Sequence, residues 1–265
     1  MYSFDKKTLF IILLIMAISS IVGGQRTIEG IIYSLPGVIV AMTFHEFAHA
    51  WAATKLGDDT PRLQGRLNLN PLSHIDPIGL LCLIFLGFGW GKPVEINPRN
   101  FDGKYSLSKA EAIVAAAGPI MNFILALLFI IIYAIIIKLN LSFNTWYIIS
   151  RLFMSIILVN ISLGVFNLIP IYPLDGGRII KSILRTKKGK EETEAIVNKI
   201  SNILMISITM ISSLLILKYK NIALLIVVGY LWIIVIRENK KYTLWKKINV
   251  TLNKKNWQFA WLFIK

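Results

Sequence analysis

Acidic residues are scarce in this chain. Its 265 residues hold 14 Asp and Glu against 29 Lys and Arg. Charged residues make up only 16%, well below the roughly 25% of a soluble domain. So few charges cannot cover a water-facing surface, which excludes a soluble globular enzyme and a disordered tail. Cysteine is almost missing as well. Cys82 stands alone, so no internal disulfide and no cysteine-based zinc cage can form. Histidine occurs three times, at 45, 49 and 74. No internal repeat and no low-complexity segment is present.

Apolar residues fill the space left by charge. They make up 55% of the chain, the mean hydropathy is +0.65, and they come in runs such as Leu9–Val22, Ala112–Ile137 and Asn221–Ile236. A membrane-crossing helix needs roughly 20 mostly apolar residues. The chain therefore reads as an α-helical polytopic membrane protein of about six spans: 8–23, 30–54, 110–137, 146–185, 200–217 and 221–237. The fourth is too long for one straight helix, and the prolines at 170 and 173 are expected to break it. The short apolar stretch 78–89 is expected to be re-entrant or interfacial rather than spanning.

The net charge of +15 would suggest nucleic acid in a soluble chain. Here it sorts by loop. Most basic residues precede span 1, lie between spans 2 and 3, lie between the break and span 5, or follow span 6. Only Arg26, Lys138, Lys218 and Lys220 fall in the opposite loops, and Arg151 sits inside a span. By the positive-inside rule both termini are cytoplasmic, and nucleic acid is not expected as a partner. The first span starts basic and nears its end at Gly23 and Gly24, as a signal peptide would, but no Ala-x-Ala site follows; an uncleaved span is expected. Two parts result: a transmembrane domain over 1–237 with its core at 30–185, and a basic, aromatic tail over 238–265. The tail suits an interfacial helix on an anionic leaflet, with a frayed basic tail as the alternative. High Ile, Lys and Asn and short loops suggest a prokaryotic plasma membrane.

Ionisable residues at membrane depth are costly and mark function. Among the acids, Glu46 in span 2 and Asp175 in the broken span 4 stand out. Glu46 lies in His45-Glu46-Phe47-Ala48-His49, an H-E-x-x-H pattern. On a helix, residues i and i+4 share a face, so both imidazoles can reach one tetrahedral ion. Catalytic zinc takes three protein ligands and keeps a position for water. Glu46 beside that face can take a proton from the water that zinc activates. Asp175 is the candidate third ligand; its alternative is a helix N-cap, since Gly176, Gly177 and a helical run follow. Separately, Leu63, Gly65, Leu67, Leu69 and Pro71 alternate with Arg66, Asn68 and Asn70. That alternation predicts a short membrane-associated β-strand over 62–72, with a plain loop as the alternative.

Five segments together resemble the site-2 protease family of intramembrane zinc metalloproteases, of the M50 type. They are Phe-His-Glu-Phe-Ala-His-Ala at 44–50, Gly-Arg-Leu-Asn-Leu-Asn-Pro-Leu-Ser-His-Ile-Asp-Pro-Ile-Gly at 65–79, and Phe-Gly-Trp-Gly-Lys-Pro-Val at 88–94. Ala-Gly-Pro-Ile-Met-Asn follows at 117–122, then Phe-Asn-Leu-Ile-Pro-Ile-Tyr-Pro-Leu-Asp-Gly-Gly-Arg at 166–178. The resemblance implies His45, His49 and Asp175 as ligands of one zinc ion and Glu46 as general base. It implies substrate binding by Asn167, which would hold substrate backbone, and by Asn122, which would line the same interior and help the oxyanion or simply stitch spans together. His74 would order its loop or shape a substrate site, and the 62–72 strand would accept unwound substrate as an added strand. No interval between the motifs has room for a PDZ domain, and no CBS domain is recognisable.

The expected function is zinc-dependent endoproteolysis of transmembrane segments of membrane proteins within the lipid bilayer, that is, regulated intramembrane proteolysis. A regulatory membrane partner is left open. A metal or proton transporter would also bury His, Glu and Asp, but it needs a chain of such groups across the membrane. A non-catalytic scaffold is the other alternative.

Overall fold

The computed structural model describes residues 28–77, 79–80, 90–219 and 223–253. Among these, the chain forms two compact units that divide between Ile169 and Pro170.

In the first unit, α1 (Ile28–Lys55), α4 (Leu107–Ile136) and α5 (Phe143–Asn167) are long helices that pack on one another pairwise. Between α1 and α4 lie two single-turn helices, α2 (Thr60–Leu63) and α3 (Pro71–His74), and a 3-10 turn at Pro98–Asn100. The helix interfaces are built from small residues. Ala41, Ala48, Ala50, Ala52 and Ala53 of α1 and Ala110, Ala115 and Ala126 of α4 are all buried. Small side chains let the backbones approach closely where lipid offers no hydrophobic drive between helices. Polarity runs opposite to that of a soluble bundle. Asn122 and Asn160 are 0% exposed, whereas Ile124 and Leu158 are more than half exposed. Apolar residues out and amides in is the arrangement a hydrocarbon solvent selects.

The loop beyond α1 is fastened at Asp58, which is fully buried. Its carboxylate accepts from the Thr60 N–H at 3.1 Å, the Thr60 hydroxyl at 2.5 Å, the Asn97 N–H at 2.7 Å and the Asn100 amide at 2.9 Å. Burial raises this carboxyl, but these hydrogen bonds to the charged form outweigh it and hold Asp58 below the ordinary carboxylate range.

In the second unit, α6 (Asp175–Lys187) and α8 (Ala223–Asn253) each pack on α7 (Lys190–Tyr219). The Lys181 ammonium lies 2.7 Å from Glu194 and 4.3 Å from the Tyr172 ring centroid. The Tyr172 N–H donates to the Ser201 hydroxyl at 3.0 Å. These contacts tie the segment entering α6 to α7.

Among the described residues, four helices are long and apolar enough to cross a membrane: Ile28–Lys55, Leu107–Ile136, Phe143–Asn167 and Lys190–Leu215. The expected span at 8–23 lies outside the described residues, as do 78 and 81–89 of the re-entrant stretch. Of the expected 221–237 span, residues 223–237 belong to α8. The stretch 146–185 does break at its prolines, into α5 and α6. Only α5, 25 residues or about 37 Å long, reaches across a hydrocarbon core. At 13 residues, about 20 Å, α6 is too short. The observed division at 169/170 falls inside the expected 1–237 domain, and α8 runs on through Asn253, leaving 254–265 of the tail outside the described residues.

The strand expected over 62–72 is not formed. Asn70 caps α3 by accepting the Leu72 N–H at 3.1 Å, and Asn68 accepts the Asn70 N–H at 2.7 Å while donating to the Gly65 carbonyl. Proline near the start of both α2 and α3 presets a helical turn. Side chains thus satisfy the backbone that a strand would have paired. The β structure among the described residues is a single antiparallel bridge between Ile75 and Gly91.

Candidate metal centre

The H-E-x-x-H residues lie within α1, where the one-turn spacing puts His45 and His49 side by side. Both are buried, at 6% and 5% exposure, and their rings meet edge to face with centroids 4.7 Å apart. Each ring is held from behind through Nδ1. His49 Nδ1 lies 2.7 Å from the Val114 carbonyl, and His45 Nδ1 lies 2.7 Å from the Asn122 Oδ1. Both partners can only accept, so both Nδ1 atoms carry a proton, and a ring in its neutral form keeps its lone pair on Nε2. Those two Nε2 atoms stand 3.1 Å apart. Two lone pairs at that separation repel unless a cation lies between them. Nitrogens on a tetrahedral zinc, each about 2.0–2.1 Å from it, lie about 3.3 Å from each other, so the pair fits that ion.

Space is kept beside the nitrogens by Gly118 of α4. A Cβ at this position would lie 2.4 Å from His49 Nε2 and 2.7 Å from His45 Cε1. Only a residue without a side chain leaves that face of the imidazoles open.

Glu46 is half-buried, and its Oε2 accepts the Val94 N–H at 3.1 Å. The backbone of 91–94 reaches it because the Lys92 N–H bonds the His74 carbonyl at 2.8 Å, next to the Ile75–Gly91 bridge. His74 itself is fully buried and its Nε2 donates to the Asn68 carbonyl at 2.7 Å. It orders this loop, one of the two roles expected for it.

Asn122 is brought to His45, but not with a donor to spare for substrate. Its Nδ2 donates to the Ala41 carbonyl at 3.0 Å and to Asn160 Oδ1 at 3.0 Å, while its Oδ1 accepts from His45. Both amide hydrogens are used inside the bundle, where they join α4 to α1 and α5. Asn167 ends α5, and its Nδ2 donates to the Leu163 carbonyl of its own helix at 3.1 Å.

Asp175 belongs to the second unit. It is the first residue of α6 and is 6% exposed. The cap position of that helix is Leu174, not Asp175, so the N-cap alternative does not describe it. The turn before it is held close by Gly177, where a Cβ would meet the Ile171 and Tyr172 backbone at 2.4–2.6 Å.

Sequence reasoning did not single out Asn160, Val94 or Val114. Asn160 carried a signal, as an amide directly after the apolar run Ile156–Val159. Val94 and Val114 act through backbone atoms and carried none.

The profile of peptidase family M50 matches residues 136–208. The Bacillus subtilis (strain 168) protein named "Putative zinc metalloprotease YwhC" is 41% identical over 156 residues, covering 57% of this chain and 69% of that protein. The Methanocaldococcus jannaschii protein named "Zinc metalloprotease MJ0392" is 24% identical over 82% of this chain, which spans about half (52%) of that relative's length. Among solved structures, the site-2 protease from Methanocaldococcus jannaschii matches 87% of both chains with a TM-score of 0.53 at 23% identity, a likeness of fold. With a 41%-identical relative matched over more than two thirds of its length, the chain belongs to peptidase family M50 and is a zinc-dependent peptidase.

Proposed function

We propose that this peptidase is a multi-pass protein of a prokaryotic cell membrane, with both termini cytoplasmic, that cuts transmembrane segments of membrane proteins. One zinc ion is held by His45, His49 and Asp175. The observation that carries the reading is the imidazole pair. Buried in an apolar helix, both rings are fixed through Nδ1 so that two Nε2 lone pairs converge at 3.1 Å beside Gly118. Asp175 as third ligand is supported by its burial, by its carboxylate chemistry and by the Leu-Asp-Gly segment that resembles the family's second signature.

Zinc bound there supplies Lewis-acid polarisation of the attacking water and of the scissile carbonyl. Glu46 receives the proton that the water releases and returns it to the leaving amine, its carboxylate aimed by the Val94 N–H. Asn167 offers Oδ1 to the backbone of the substrate. A substrate helix has its amides bonded internally, so it must unwind before it can be cut, and helix-breaking residues in the substrate favour cleavage.

The test is cleavage of a single-span substrate by protein purified in detergent, with Glu46→Gln alongside and zinc quantified. Cleavage by the wild type, lost in the variant while about one zinc per chain remains, supports the reading. A wild type that lacks stoichiometric zinc, or a Glu46→Gln protein that still cuts, overturns it.

A further inference from the structure

We propose that Asn160 is a positioning residue for the metal ligand His45, acting through Asn122. This inference rests on the zinc reading above and extends it to a residue in a third helix.

Asn160 lies on α5 in the midst of apolar side chains, and it is 0% exposed. Its Nδ2 donates to the Ile156 carbonyl at 2.8 Å. A carbonyl only accepts, so this bond fixes which end of the Asn160 amide faces which way. Oδ1 must then point to Asn122, whose Nδ2 donates to it at 3.0 Å. The second Asn122 hydrogen goes to the Ala41 carbonyl at 3.0 Å, one turn before His45 on α1. With both hydrogens committed, Asn122 has only Oδ1 left, and that oxygen faces His45 Nδ1 at 2.7 Å. Each link therefore has one permitted polarity. The series starts at a backbone carbonyl of α5, passes through α4 and ends by requiring the Nδ1–H tautomer of His45.

The consequence is chemical. Turning the Asn122 amide by half a turn would offer N–H to His45 Nδ1, shift the ring proton to Nε2 and remove the lone pair that binds metal. Two acceptors oppose that turn, the Ala41 carbonyl and Asn160 Oδ1. Removing the second leaves a buried amide hydrogen unsatisfied, a costly state in an apolar interior, and halves the hold on the tautomer. Outer partners of this kind typically set metal affinity by 10–100-fold.

The test uses the full-length protein in detergent, with zinc affinity from chelator competition and the visible absorption of the cobalt-substituted protein as readouts. Asn160→Leu keeps size and removes the acceptor. The expected result is zinc binding weakened roughly 10–100-fold with an altered cobalt spectrum. Asn160→Asp, which keeps an acceptor oxygen in the same place, recovers most of the affinity. Combining Asn160→Leu with Asn122→Ala costs no more than Asn122→Ala alone, because the two residues act in series. Wild-type affinity and spectrum in Asn160→Leu, or additive losses in the double variant, overturn the inference. If the leucine variant is not recovered folded, the metal-free wild type decides. With three histidines in the chain, nitrogen NMR of labelled imidazoles resolves each ring, and an Nε2–H tautomer at His45 overturns the inference. Failure of the zinc reading looks different: zinc affinity would then be unchanged by His45→Ala as well.

Discussion

Replacing Gly118 by alanine would place a methyl group against both imidazoles. The added Cβ would lie 2.4 Å from His49 Nε2 and 2.7 Å from His45 Cε1 and His49 Cε1. Carbon and nitrogen atoms need about 3.5 Å, so the rings or the helix must move by about 1 Å. The rings cannot yield cheaply, because each is tied at 2.7 Å through Nδ1 to the Val114 carbonyl or to Asn122. Metal ligation tolerates errors of about 0.2 Å in distance, so a shift several times larger removes the site. Stability responds less. Alanine in a helix gains about 1 kcal/mol over glycine, against about 1–3 kcal/mol for overpacking, so the protein is expected to fold with a net loss of about 0–2 kcal/mol. The signature is thus a dissociation between the two readouts: near-normal thermal unfolding, with zinc affinity lower by more than about 100-fold and cleavage gone. Zinc per chain after dialysis and a melting curve on the same sample make the measurement. A Gly118→Ala protein that binds zinc as the wild type does would refute the steric argument.

Glu46→Gln is expected to lower cleavage by about 10²–10⁴-fold, the usual share of a general base, with zinc content unchanged. Asn167→Ala should leave zinc content intact and lower kcat/KM for a single-span substrate; a loss of zinc would assign it to the metal site instead. Asp58 gives a pH dependence. Its folded carboxyl lies below its unfolded value of about 3.9, so its stabilisation is complete above that pH and is lost as pH falls through the folded value. Limited proteolysis of the 57–102 loop region should therefore rise with acid below pH of about 4 in the wild type. In Asp58→Ala it should be high already at neutral pH. Equal pH profiles for the two proteins would refute this.

The membrane class, the helical architecture and the His45–Glu46–His49 turn were legible in the sequence because each is local. Hydrophobic run length reports burial in lipid, and a spacing of four reports a shared helix face. The break of 146–185 was legible for the same reason, since Pro170 and Pro173 act on their own backbone. The alternation at 62–72 misled, because alternation measures side-chain polarity, whereas Asn68 and Asn70 used their side chains to bond the backbone into turns. What only the tertiary structure decided is how the histidines are held. The tautomer of His45 depends on Asn122, and through it on Asn160, 38 residues further along the chain. That of His49 depends on a carbonyl 65 residues away. Nor does any sequence feature announce that the Val94 N–H aims Glu46, because every residue but proline has an N–H and only folding selects the one that is used.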